Sequence, residues 1–97
     1  MTTAIIGGKT TAIGYEDMGR SGDIVLTWGD ITRRFWYEFG TGVLVFVSIP
    51  DEAGWEKATD IPLAHREEIL HFMGRAMVND RAPGRKYSIE GSFINVL

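Results

Sequence analysis

The chain has 97 residues, 44% of them hydrophobic and 24% charged, which is enough for one globular domain and too little for two. The absence of cysteine excludes disulfides, thiolate metal sites and a cysteine nucleophile together. A net charge of -3 argues against a general polyanion binder, and the longest wholly apolar run, Val43 to Val47, is far too short to span a membrane. With no basic N-terminal region leading into an apolar stretch, the chain is expected to be cytoplasmic.

From the N-terminus, Gly7-Gly8, Met18 to Gly22, Gly29-Asp30 and Gly40-Thr41-Gly42 punctuate short segments rich in β-branched and aromatic residues. That pattern predicts a meander of about five strands before Pro50. The pair Gly29-Asp30 fits a two-residue II′ turn that sets Trp28 opposite Ile31, Leu26 opposite Arg33 and Ile24 opposite Phe35. Ile24, Leu26, Trp28, Ile31, Phe35, Tyr37 and Phe39 then share one face, the predicted core.

A three-residue loop at Gly40-Thr41-Gly42 would pair Phe39 with Val43 and Tyr37 with Val45, adding Val43, Val45, Val47 and Ile49 to that face. On the other side Trp36 would lie across from Phe46, Glu38 from Leu44 and Arg34 from Ser48. The stretch "VLVFV" is therefore apolar on both sides, as in an interior strand.

After Pro50 the character changes. Residues Pro62 to Val78 read as one main helix with early acids and a late arginine, capped by Thr59 or Asp60. Leu63, Ile69, Leu70, Met73, Ala76 and Met77 form a stripe able to pack on a sheet, and Gly74 permits close approach. Asn79 to Gly84 stops the helix, and one or two C-terminal strands follow. Tyr87 and Ile89 are odd-numbered while Ile94 and Val96 are even, so either a bulge near Gly91-Ser92 or a tight hairpin is required. The predicted class is α+β, a single domain over residues 1–97.

Catalytic motifs are wanting. "GGKTT" would need a glycine at Thr3 and a following helix to be a phosphate-binding loop. His65 and His71 are six residues apart, about 9 Å of helical rise, so one metal ion does not bridge them; with Glu68 they read as a solvated face. Gly19-Arg20-Ser21-Gly22 is one residue short of a nucleophile elbow, and Asp51 with Glu52 lacks the burial that separates two carboxyl pKa values. No enzymatic activity, cofactor or metal is expected.

The remaining features point to binding. Alternation leaves Trp36 with Arg34 on the face away from the core, and one helix covers only part of such a sheet, so Trp36, Leu44 and Phe46 form a candidate contact patch. Trp55, in the acidic segment "DEAGWEKATD", either plugs one end of the core or anchors a partner together with Glu52. A protein partner is expected, with the chain a monomer or weak homodimer. Arg33 points to the core face and Arg66 falls inside the helical apolar arc. Their stems either lie on apolar surface or meet in an anion-binding corner, to which Arg81 and Arg85 would add charge. The alternative function is therefore anion or single-stranded nucleic-acid binding by Arg33, Arg34, Arg66, Arg81, Arg85 and Lys86, with Trp36 as the stacking surface.

Trp55, Ile61-Pro62-Leu63, Arg66-Glu67-Glu68-Ile69-Leu70 and Tyr87-Ser88-Ile89 together resemble the second halves of small bacterial α+β proteins, among them predicted immunity proteins of polymorphic toxin systems. The resemblance covers residues 55–97. It implies a cytoplasmic protein that neutralises a toxin by direct binding, with no catalytic residue to carry over.

Overall fold

A computed structural model describes residues 2–40 and 42–97. Five strands come first: β1 (Thr2–Ile6), β2 (Lys9–Met18), β3 (Ser21–Trp28), β4 (Ile31–Phe39) and β5 (Val45–Ser48). Helix α1 (Glu52–Thr59), a 3-10 turn (Leu63–His65), helix α2 (Arg66–Arg81) and strands β6 (Tyr87–Glu90) and β7 (Phe93–Val96) complete the chain. All strands join one antiparallel sheet in the order β1-β2-β3-β4-β5-β7-β6. The sheet thus has seven strands rather than about five, because the C-terminal hairpin docks on β5.

The Gly29-Asp30 turn sets the inner face as expected. Gly29 has φ +58° while Asp30 does not take a positive φ, the signature of a II′ turn, and the register is Trp28 to Ile31, Leu26 to Arg33 and Ile24 to Phe35. Ile24, Leu26, Trp28, Phe35 and Tyr37 are buried with Val45, Val47 and Ile49. Ile31 and Val43 are half-buried. Phe39 departs from the expectation: it keeps the inward parity but is 45% exposed, because it stands at the open end of the curled sheet.

The β4–β5 connection is longer than a three-residue loop, and it includes Thr41, which lies outside the described residues. Phe39 pairs with Val45 and Tyr37 with Val47, two positions further along than expected. The Leu44 N–H is held by the Val96 carbonyl at 2.8 Å, so β7 draws residue 44 out of the turn. A slip of two leaves every side chain on its predicted face, since the pleat has a period of two. Glu38, rather than Trp36, therefore stands opposite Phe46.

The region after Pro50 holds an additional helix. Asp51 caps α1 by accepting a hydrogen bond from the Gly54 N–H at 2.8 Å, and Asp60 ends it in the left-handed conformation at φ 60°. Thr59 and Asp60 therefore close α1 and do not cap α2. Helix α2 begins only at Arg66 and runs to Arg81. Its residues Ile69, Leu70, Phe72, Met73, Ala76 and Met77 are buried in one cluster with the inner sheet face, while Leu63, in the 3-10 turn, is exposed.

Residues 87–96 form the tight hairpin. Its register, Tyr87 to Val96 and Ile89 to Ile94, reconciles the odd and even positions on a single face without a bulge. Helix α2 lies in the curl of the sheet, against β1, β6 and β7. At Gly74 an added Cβ would come within 2.5 Å of the Tyr87 ring, so the helix meets β6 where there is no side chain to hold them apart.

Candidate functional site

Because α2 occupies the inner face, the outer face of β4, β5 and β7 is left uncovered, and alternation places three aromatic rings there. Trp36 and Phe46 meet edge to face with centroids 6.5 Å apart, and Phe46 and Phe93 do the same at 5.7 Å. Trp36 is 44% exposed and Phe93 43%, and Leu44 is also open to solvent. The result is an aromatic ridge across three neighbouring strands. It rests on a rigid sheet, so holding the rings in place costs little further ordering on association.

Beside Trp36 the sheet parts. Pairing of β4 with β5 ends at Tyr37 and Val47, and a notch of about 260 Å³ opens between Arg34, Trp36, Ser48 and Pro50, with Ala58 and Thr59 of α1 at its edge. Arg33 holds this corner: its Nε donates to the Thr59 carbonyl at 2.9 Å and its Nη2 to Asp60 at 3.1 Å. The guanidinium thus ties the end of α1 to β4.

The predicted contact residues separate into two groups. Arg34, Trp36, Leu44 and Phe46 lie on the outer face or around the notch, and Phe93 joins them. Trp55 does not: it is 0% exposed, stacked on Phe35 with centroids 6.3 Å apart and planes 6° off parallel. It is the core plug and cannot serve as a surface anchor. Glu52 is exposed in the first turn of α1, where it lines a different cleft with Arg66, Glu67 and Ile89.

The arginines expected to share an anion-binding corner are dispersed. Arg33 is satisfied by Asp60 and two backbone carbonyls. Arg66 is buried, its Nη2 donating to the carbonyls of Pro50 at 3.0 Å and Gly91 at 3.3 Å, with its guanidinium 5.8 Å from the centre of the Trp55 ring. Arg81 makes a two-pronged pair with Asp17 at 3.0 and 2.9 Å and lies over the Tyr15 ring. Arg85 stands apart from these, exposed beyond the end of α2. Arg34, next to Trp36, is paired with Glu16 and lies 4.0 Å from Asp23.

Around Arg81 a polar network closes the open end of the curl. The Tyr37 hydroxyl donates to Asp17, and the Tyr15 hydroxyl donates to Asp80 at 3.0 Å, where Thr2 also donates. The Arg81 guanidinium, with help from Tyr37, holds the Asp17 carboxyl below the usual carboxylate range. Burial, reinforced by the hydrogen bond to Asp17, pushes the Tyr37 phenol up to about 12. Burial and Asp80 likewise raise Tyr15. A cavity of about 140 Å³ lies beneath, lined by Phe39, Val45, Met77 and Val96. Both tyrosines are thus held protonated and Asp17 is held ionised near neutrality.

The histidines are separately engaged. His65 is half-buried against Trp28, centroids 5.4 Å apart, and over Gly7, and so is not on a solvated face. His71 is 2.9 Å from the Tyr87 hydroxyl and 3.5 Å from Glu67. Among the described residues no group of three or more His, Asp and Glu is placed to hold a metal ion. Nor, among them, is any helix long and apolar enough to cross a membrane.

Sequence reasoning missed Phe93. The even parity of Ile94 and Val96 implied that Phe93 points outward, but its place beside Phe46 depends on β7 pairing with β5, and no local signal encodes that. Comparison with protein-family models, with curated proteins and with solved structures finds no match for the chain.

Proposed function

We propose that this chain is a small protein-binding module, without catalytic activity of its own, that meets its partner through the outer face of β4, β5 and β7. The observation that carries this reading is the aromatic ridge of Trp36, Phe46 and Phe93, flanked by exposed Leu44 and by a notch able to accept a partner side chain. Aromatic residues beside a small pocket are the usual energetic centre of a protein interface, and a polar surround excludes water from it. Arg34, Glu16 and Asp23 supply that surround. Neutralisation of a toxin is the form of binding that the resemblance over residues 55–97 implies.

Binding of single-stranded nucleic acid at this face is disfavoured by the same geometry, because the arginine beside Trp36 is already paired with carboxylates. The test is calorimetric titration of the protein encoded by the adjoining reading frame with the unmodified chain and with a Trp36→Ala, Phe93→Ala variant. The expected result is binding that weakens by at least about a hundredfold in the double variant, as for loss of two hot-spot rings, with the thermal midpoint nearly unchanged. Equal affinity of the two forms would refute the assignment of this face.

A further inference from the structure

The curled sheet leaves two free edges, β1 and β6, and both pack on α2. Between them lies a groove of about 870 Å³, bounded by Thr2, Thr3 and Ala4 on one side and by Arg85, Lys86 and Tyr87 on the other. Its volume falls within the range of ligand-binding clefts. We infer that this groove is a second docking site, one that takes an acidic peptide segment in extended conformation by strand addition to β1.

Three observations carry the inference. The first is charge: Arg75, Arg85 and Lys86 line the groove and, among the described residues, no acidic one does, in a chain whose net charge is -3. All three are exposed, and among the described residues none of them is within ion-pair distance of a carboxylate, whereas Arg33, Arg34 and Arg81 each are. The groove therefore holds cationic charge that the protein does not neutralise itself.

The second is the β1 edge. Edge strands are ordinarily blunted by a charge, a proline, a bulge or a covering element; β1 packs on α2 but carries no charge, proline or bulge, its sequence Thr-Thr-Ala-Ile-Ile being paired without interruption to β2 from Thr2 to Ile6. Its outward N–H and C=O groups, those of Thr3 and Ile5, have no hydrogen-bond partner among the described residues and can pair with a further strand. Five residues at roughly 3.3 Å each give an edge of about 16 Å, matched by a peptide of five or six residues.

The third distinguishes peptide from nucleic acid. Of the two aromatic rings at the groove, Phe72 is buried and Tyr87 is packed on Gly74 with its hydroxyl at His71, so neither offers a face on which a base can stack. Backbone pairing along β1, with Arg75, Arg85 and Lys86 meeting the peptide's carboxylates, uses what the groove presents.

The experiment is fluorescence anisotropy at low salt with a labelled eight-residue peptide of alternating Glu and Val. Two controls accompany it: the same peptide N-methylated at alternate residues, and a dT oligonucleotide. Binding is expected for the first peptide. It should weaken about tenfold in the Arg75→Gln, Arg85→Gln, Lys86→Gln variant, whose exposed substitutions leave the melting temperature unchanged, and disappear for the N-methylated peptide. Equal binding of the N-methylated peptide would overturn strand addition, and equal binding by the triple variant would overturn the charge assignment. Tighter binding of the oligonucleotide would reassign the groove to nucleic acid. A dimer in sedimentation that Thr3→Pro dissolves would give the edge to a second copy of the chain, since the Thr3 N–H faces away from β2.

Discussion

Phe35 and Trp55 lie face to face within the core, their planes 6° from parallel, so that α1 is fixed to the sheet by a stacked pair rather than by an apolar stripe of its own. Only Trp55 and Thr59 of that helix are buried. Trp55→Ala should therefore cost about 3–5 kcal/mol in urea unfolding, the range for removing a large buried ring. Trp36→Ala, on the opposite face, should cost about 1 kcal/mol or less. Similar losses for the two would show that the outer ridge is a second core.

Gly74 makes a sharper test of packing. In a helix interior, alanine is normally favoured over glycine by about 1 kcal/mol. Here the added methyl would meet the Tyr87 ring at 2.5 Å, and relieving that clash costs about 1–3 kcal/mol. Gly74→Ala should therefore lower stability on balance, seen as a reduced denaturation midpoint. A stabilised variant would mean that β6 is free to move away from α2.

Asp60 combines a left-handed backbone with an exposed ion pair to Arg33. The pair is worth little in water, while the conformation favours glycine. Asp60→Gly should be within about 0.5 kcal/mol of the parent, and Asp60→Ala about 1 kcal/mol less stable than Asp60→Gly. Equal losses in calorimetric unfolding would show that the Arg33 contact, not the backbone, is what matters.

Arg66 is a buried cation resting on two carbonyls and a tryptophan face. Arg66→Ala deprives the Pro50 and Gly91 carbonyls of their donor and leaves a void beside Trp55, for an expected loss of about 2–3 kcal/mol. Arg66→Lys should recover only part of this, because an ammonium is no planar fork. Full recovery by lysine in equilibrium unfolding would reduce the role of Arg66 to its charge.

The Asp17, Tyr37 and Arg81 network should shape both limbs of the pH–stability curve. Asp17 has a depressed folded pKa, so its contribution is present above the unfolded value of about 3.9 and is lost as pH falls below it. Tyr37 is raised to about 12, so its contribution is complete below the unfolded value of about 10 and is lost between there and 12. Asp17→Asn should flatten the acid limb and Tyr37→Phe the alkaline one in urea titrations across pH. Unchanged slopes would show that the network does not couple to folding.

What the sequence revealed follows from range. The face assignment of β3 and β4 was legible because one glycine, Gly29, fixes it within a two-residue turn. The apolar stripe of α2 was legible because its period is local. Helix α1 was not, although Asp51 and Glu52 form a start signal, because eight residues with a glycine and two buried side chains carry almost no periodicity. The register of β4 with β5 and the membership of Phe93 in the outer ridge both depend on β7, which is distant in sequence. Trp36 and Phe46 could be placed by parity alone, whereas the burial of Trp55 required knowing that a helix brings it back over Phe35.

The insertion of β7 between β5 and β6 also orders events in time. Val47 finds its neighbour Ile94 only after 47 further residues have been made. Until then β5 is a bare edge carrying Val45, Phe46 and Val47, the kind of segment that sticks to other chains. A nascent chain leaving the ribosome thus carries β5 unprotected until residues 93–96 emerge, and a chain cut short before β7 would be a species prone to aggregate rather than a smaller folded protein.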